Sequence, residues 1–306
     1  MQATLKSSII LVGAGLHSGR PARLCVMPAP ADFGIEFRRV DITDKDNRIP
    51  ARFDMVNDTQ LCTRLSNNFG VEVATVEHLM AALAGCGVHN AIIEIDGPEV
   101  PIMDGSSERF VKEILSVGVV ELGAPVKVLR ILKAVSVSDG DAFAELSPSD
   151  DFEIDFEIAF EDIAIGEQHH SLNMKNGSFV RELSNCRTFC MFSDVEYMKS
   201  IGLARGGSLA NAIVIDDGNV LNPEGYRRED ECVRHKMLDA LGDLALAGVP
   251  VIGRYHGVRA GHRMTNLLLH AVFAAPDSFE IVEVNEQQSA QLPGVGLSYS
   301  DLELAV

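Results

Sequence analysis

The chain is poor in positive charge. It carries 26 Lys and Arg against 44 Asp and Glu, a formal net charge of −18. That deficit argues against nucleic acid as the main partner, because phosphate backbones are bound by a basic face. A small anionic ligand remains compatible, given a local basic pocket set against the global field. Long hydrophobic runs are also lacking. None approaches the roughly 18–20 apolar residues that cross a bilayer, so a protein that is not transmembrane is expected. The run Ile9-Ile10-Leu11-Val12 is short, has no basic stretch of note and flows into a Gly-rich turn. It reads as a strand and not as a signal peptide. No CxxC pair occurs among the six cysteines. Their scatter fits reduced thiols in a cytoplasmic protein better than a disulfide framework.

What is present is an ordinary globular composition: 306 residues, 46% hydrophobic and 23% charged. Wholesale disorder is excluded, and the length suggests about two domains. Strands are predicted at 8–12, 22–27 and 34–38, each bounded by Gly, Pro or Asp. A helix is predicted over 75–83, its first residues arranged like a cap, with Gly85 and Gly87 ending it. A strand at 91–95 and a helix at 107–117 follow. The Gly-Ala-Pro connection at 122–126 marks a domain boundary, giving units 1–124 and 125–306. The pattern then restarts, with strands at 128–137, 142–146 and 152–159. Helices at 194–200 and 229–247 flank a short strand at 212–215. A strand at 250–255 and a helix at 263–273 complete the prediction.

The halves echo each other. Val76-Glu77-His78-Leu79-Met80 and Val233-Arg234-His235-Lys236-Met237 share Val, His and Met. Each leads into an apolar helix, a Gly turn and a strand, which suggests two similar α+β units facing each other.

His235 and Asp239 stand at i and i+4 of a predicted helix, so they project from one face about a turn apart. One nitrogen and one oxygen can then reach one cation. Zinc accepts both donor types and keeps a position open for water in catalytic sites; Fe²⁺ is a second possibility. His78, at the start of the equivalent helix, is the best third ligand. Glu77 beside it points about 100° away, which suits a general base acting on water at the metal. The bland alternatives stay open on spacing alone. An HxxxD pair is commonly a surface ion pair, and a histidine at a helix start commonly a cap. His262, read as a loop residue, and Asp243, one turn beyond Asp239, could be catalytic or merely solvated. Only three convincing ligands are visible, which favours an open catalytic site over a closed structural one. Two other motifs lead nowhere. Val12-Gly13-Ala14-Gly15-Leu16-His17-Ser18 lacks the third glycine and the following helix of a dinucleotide loop. The Asn57-Asp58-Thr59 sequon is irrelevant in a cytosolic chain.

Several longer tracts carry a resemblance. They are Gly13-Ala14-Gly15-Leu16-His17-Ser18-Gly19, Thr75-Val76-Glu77-His78-Leu79, Pro101-Ile102-Met103-Asp104-Gly105-Ser106, Arg187-Thr188-Phe189, and 231–243 with its HKMLDALGD core. In this order they resemble the UDP-3-O-acyl-N-acetylglucosamine deacetylases, the zinc enzymes of lipid A biosynthesis. The resemblance implies two similar α+β domains packed as layers, each with a small insert, and an active site at the domain interface. It implies a zinc site of His78, His235 and Asp239, with Glu77 as base. His262 would be the protonated partner, Asp243 its support, and Thr188 a donor to the oxyanion. Phe189 would contact uridine or sugar, and Lys236 and Arg259 the diphosphate. The notional partner is a UDP-sugar carrying an acyl chain, and a monomer is expected. Lys236 is expected to point away from the His235 side. The apolar, Gly-rich tract 197–214, with Gly207 and Val214, could line an acyl passage or be an ordinary buried strand and turn. Leu61 and Cys62 would lie at its mouth. Ala142 stands where many family members carry a lysine, Gln60 where an apolar residue is expected, and Arg259 where lysine is frequent.

Overall fold

A computed structural model describes residues 1–304. In the first half, β1 (Ala3–Leu5), β2 (Ile9–Ala14), β3 (Pro21–Pro28), β4 (Ile35–Arg39) and β5 (Arg48–Pro50) precede a small three-stranded insert. The insert comprises β6 (Val56–Asp58), β7 (Arg64–Ser66) and β8 (Glu72–Val73). Then come α1 (Glu77–Gly85), β9 (Ala91–Ile95), α2 (Glu108–Val117) and β10 (Val119–Glu121). The second half opens with β11 (Lys127–Ile131), β12 (Val135–Asp139), β13 (Ala142–Ser147), β14 (Phe152–Ala159) and β15 (Glu167–Asn173). Its insert holds α3 (Ser178–Glu182), β16 (Phe189–Met191), α4 (Phe192–Ser200), β17 (Ile213–Asp216) and β18 (Asn219–Val220). It closes with α5 (Glu231–Leu244), β19 (Val251–Val258), α6 (His262–Ala274) and β20 (Phe279–Glu283).

The halves share one topology. The first sheet runs β2-β3-β9-β4-β5, with β9 antiparallel to β3 and parallel to β4. The second repeats this as β12-β13-β19-β14-β15, with β19 antiparallel to β13 and parallel to β14. The antiparallel pairs β1/β10 and β11/β20 correspond in chain order, but β11 also pairs in parallel with β19 and so joins the second sheet, whereas β1/β10 stands apart from the first. In each half one helix precedes the central strand and one follows it. The echo between the two histidine tracts is therefore the visible trace of a repeated α+β unit. Among the described residues, no strand of one half pairs with a strand of the other.

The helices join the halves. α1 packs on α5, and α5 packs on α6 and on β14 and β15. One hydrophobic cluster runs from Val26 and Ile93 through Leu79 and Met80 to Leu241 and Phe156. Both ligand-bearing helices are buried almost all round, as expected of helices between two sheets.

Some predicted elements need correction. The strand expected at 128–137 is two strands. The amides of Leu132 and Lys133 turn aside to the Ser278 carbonyl, at 2.7 and 3.2 Å, and the chain leaves the sheet there. The cap expected before α1 is absent: its N-cap residue is Val76, and no side chain bonds the first turn. Thr75 instead sits at φ +57°, and its hydroxyl donates to Glu99 Oε1 at 2.9 Å. β15 was not foreseen, because Glu-Gln-His-His-Ser-Leu-Asn has no apolar alternation.

Candidate active site

His78 lies in the first turn of α1 and His235 in the second turn of α5. Their rings meet edge to face, centroids 5.0 Å apart. Asp239 Oδ1 lies 3.4 Å from His78 Nε2 and 3.3 Å from His235 Nε2. All three side chains are buried, and their ligating atoms lie within 4.8 Å of one another. Tetrahedral zinc with bonds of about 2.1 Å would space its ligands by roughly 3.4 Å. The donors also suit a cation chemically. His235 Nδ1 donates to the Cys186 carbonyl at 3.0 Å, which leaves Nε2 with a free lone pair. Burial lowers the His235 pKa to about 3, so the ring is neutral. Burial opposes charge on Asp239, but His235, Lys236 and His78 together hold it well below its ordinary value. Neutral imidazole and ionised carboxylate are the forms that bind metal. Asp239 Oδ1 is buried and has no hydrogen-bond partner, an expensive omission unless a cation takes the place of one.

The other predicted groups gather around this cluster. Glu77 is buried, and its Oε2 accepts from the Thr63 amide at 3.1 Å. Its Oε1 faces His262 Nε2 at 3.8 Å. His262 Nδ1 donates to Asp243 Oδ2 at 2.8 Å. Asp243 Oδ1 accepts from the Thr63 hydroxyl at 2.6 Å. Burial pushes the Glu77 pKa up, countered by His262 and His78. For His262, burial disfavours charge but Asp243 and Glu77 prevail, raising the pKa to about 9. An ionisable carboxylate and an imidazolium thus sit side by side next to the candidate metal site, a combination that offers both a base and an acid.

His262 is not on a loop: it opens α6, with Gly261 as N-cap. Lys236 does not point away from the site either. Its Nζ donates to Asp239 Oδ2 at 2.8 Å, because an ammonium buried beside three carboxylates turns toward the nearest. Asp239 and Asp243 raise its pKa against the cost of burial. Phe189 stacks edge-on to His235, centroids 6.3 Å apart. Thr188 precedes it, its amide bonded to the Gly105 carbonyl. Cys62 is buried between Thr75 and Glu77, and burial raises its thiol pKa to about 12. Leu61, at φ +66°, is exposed beside it. Gly207 packs near Leu16, while Val214 is buried in β17 opposite Cys190. Arg259 is half-exposed at the end of β19, 3.6 Å from Asp141.

Thr63 was missed, since one threonine after Cys62 carries no pattern. Arg187 was quoted only as part of a motif. It is buried and clamps Glu231, the first residue of α5, with its guanidinium at 2.9 Å and its amide at 2.9 Å. It thereby locks the start of the ligand helix to the strand that carries Phe189. His17 is buried with both ring nitrogens unpartnered.

A buried two-histidine, one-carboxylate set with a further carboxylate and imidazole beside it, on a repeated α+β scaffold, has the make-up of a metal-dependent hydrolase site. The family model described as UDP-3-O-acyl N-acetylglycosamine deacetylase matches residues 2–274. Curated proteins named UDP-3-O-acyl-N-acetylglucosamine deacetylase are similar over nearly the whole chain. The one from Phenylobacterium zucineum is 49% identical over 280 residues, 92% of this chain and 96% of its own. That from Pasteurella multocida is 47% identical over 290 residues, 94% and 95%. That from Shewanella frigidimarina is 45% identical over 288 residues, 94% of each. The chain belongs to this deacetylase family and is an amide hydrolase. No helix among the described residues is long and apolar enough to cross a membrane.

Proposed function

We propose that this chain hydrolyses the N-acetyl group of UDP-3-O-acyl-N-acetylglucosamine, releasing acetate and the free amine for lipid A biosynthesis. It does so in the cytoplasm, as a monomer, with zinc held by His78, His235 and Asp239. The observation that carries this reading is the unpartnered, buried Asp239 Oδ1 with two imidazole nitrogens 3.3–3.4 Å away.

An acetamide is a weak electrophile with a poor leaving group. Zinc held by His78, His235 and Asp239 would supply Lewis acidity toward the carbonyl and lower the pKa of a water to about 7. Glu77, held by the Thr63 amide, would accept the proton of the attacking water. His262 stays an imidazolium because Asp243 holds Nδ1. Its Nε2–H stabilises the developing oxyanion and then protonates the departing amine. The Thr188 hydroxyl donates to the same oxyanion. Phe189 flanks the sugar or uridine. Arg259 and Lys236 give the diphosphate a local positive field in an acidic protein, Lys236 after release from Asp239 or through space. Leu61, Cys62, Gly207 and Val214 border the acyl chain.

The test is metal analysis paired with a deacetylase assay on the UDP-sugar. Glu77→Ala is expected to keep its zinc and lose turnover by at least about 100-fold. Normal turnover in that variant removes Glu77 as base; loss of zinc there assigns it to the metal instead.

A further inference from the structure

A second cluster of metal-ligating groups lies away from the site above, on the outer face of the second sheet. Asp155 and Glu157 on β14 point to the face opposite Ile154, Phe156 and Ile158, which are in the core. The strand register places Asp155 opposite His256 of β19 and Glu157 opposite His169 of β15. Side chains directly opposite on neighbouring strands share a face, so Asp155, Glu157 and His256 meet there with His169 beside Asp155. His169 Nε2 lies 2.9 Å from Asp155 Oδ1. His256 Nε2 lies 3.3 Å from Glu157 Oε1 and 4.0 Å from Asp155 Oδ1. One ligating atom each from Asp155, Glu157 and His256 lies within 4.8 Å of the other two. These spacings bracket the roughly 3.4 Å between ligands of tetrahedral zinc.

Asp155 is buried although it sits on the solvent side of the sheet. Arg254 takes its Oδ2 at 2.5 Å, which leaves Oδ1 turned toward the two imidazoles. The face is acidic: Glu145, Glu153 and Glu167 share it, through register with His256, Arg254 and Ala159. A cation is therefore favoured there by the local field as well as by the donors.

We propose that Asp155, Glu157 and His256, with His169 beside Asp155 to hold or join them, form a peripheral site for a divalent first-row transition ion such as Zn²⁺. An imidazole donor among carboxylates selects such ions over Mg²⁺ and Ca²⁺, which prefer all-oxygen sites. Occupancy would tie β15, β14 and β19 together across the sheet. The site shares no side chain with the proposed metal ligands, base or acid, although the Arg259 amide donates to the Glu157 carbonyl at 2.9 Å; substitution of its histidines therefore tests loading apart from the chemistry.

The experiment is equilibrium dialysis of the zinc-loaded enzyme against excess Zn²⁺, for the parent and for the double substitution His169→Ala, His256→Ala. The double variant is expected to bind one equivalent fewer than the parent while keeping its deacetylase activity at limiting zinc. Glu157→Gln, a milder change at a half-exposed position, is expected to weaken that equivalent without abolishing it. In thermal melts, excess Zn²⁺ should raise the parent's Tm more than the double variant's. Equal zinc stoichiometry in parent and double variant overturns the site. So does a parent that prefers Mg²⁺ or Ca²⁺ to Zn²⁺ for the extra equivalent.

Discussion

Thr63 touches both the proposed base and the support of the proposed acid. Its amide donates to Glu77 and its hydroxyl to Asp243. Removing the hydroxyl leaves Asp243 Oδ1 buried and unpaired while preserving shape. Thr63→Val is therefore expected to lower kcat on the order of 10–100-fold with KM little changed, and Thr63→Ser to restore most of it. A fall in KM-dependent rate alone would put Thr63 in substrate binding. The His262 pKa supplies a pH dependence at the same scale. It is raised from 6.5 to about 9, so the imidazolium's contribution to stability is full below pH 6.5. That contribution is lost as pH rises through about 9. Turnover that needs the imidazolium should fall over the same upper limb. In Asp243→Asn the limb should move to lower pH, because the largest influence raising the His262 pKa is gone. A basic limb unmoved by that substitution would assign it to another group.

At the scale of elements, the proposed metal ligands meet because α1 and α5 approach closely. Gly242 faces the α1 backbone, and a Cβ built there would overlap the Glu77 carbonyl oxygen. Backbone cannot yield as a side chain can. Gly242→Ala should push the helices apart, cost at least about 1–3 kcal/mol and lower zinc affinity as well. A melt combined with metal analysis checks this; a variant with parental Tm and zinc content refutes the close-approach argument. The candidate ligands were legible in the sequence, but not the approach that brings them together. His235, Asp239 and Asp243 follow a four-residue spacing on one helix, and spacing is what periodicity can read. Gly242 looked like any glycine within a helix. Thr63 and Arg187 were silent because their partners lie 180 and 44 residues away. The direction of Lys236 was misjudged because helix geometry alone ignores the pull of Asp239 on an ammonium. The polar edge strand β15 escaped for want of alternation, and with it the His169 side of the outer cluster.

At the scale of the whole molecule, the repeat explains why a metal matters to more than chemistry. Each half brings one histidine on the helix that precedes its central strand, and no sheet hydrogen bond links the halves among the described residues. The seam is held by helix packing, by scattered hydrogen bonds such as Thr63 to Asp243 and Thr188 to Gly105, and by the shared cluster, where His78 comes from one half and His235 and Asp239 from the other. Without a cation the buried Asp239 Oδ1 has no partner, so the apo seam carries an uncompensated cost. Metal that binds only the folded chain stabilises it by about 4 kcal/mol at a thousand times its Kd. For a chain of this size that corresponds to on the order of 8 °C in Tm. Stripping zinc with a chelator should lower Tm by about that amount. It should also raise hydrogen exchange first in α1 and α5, ahead of β3, β9, β13 and β19. Exchange that rises uniformly, or in the sheets first, would mean the metal stabilises one half alone and the seam stands without it.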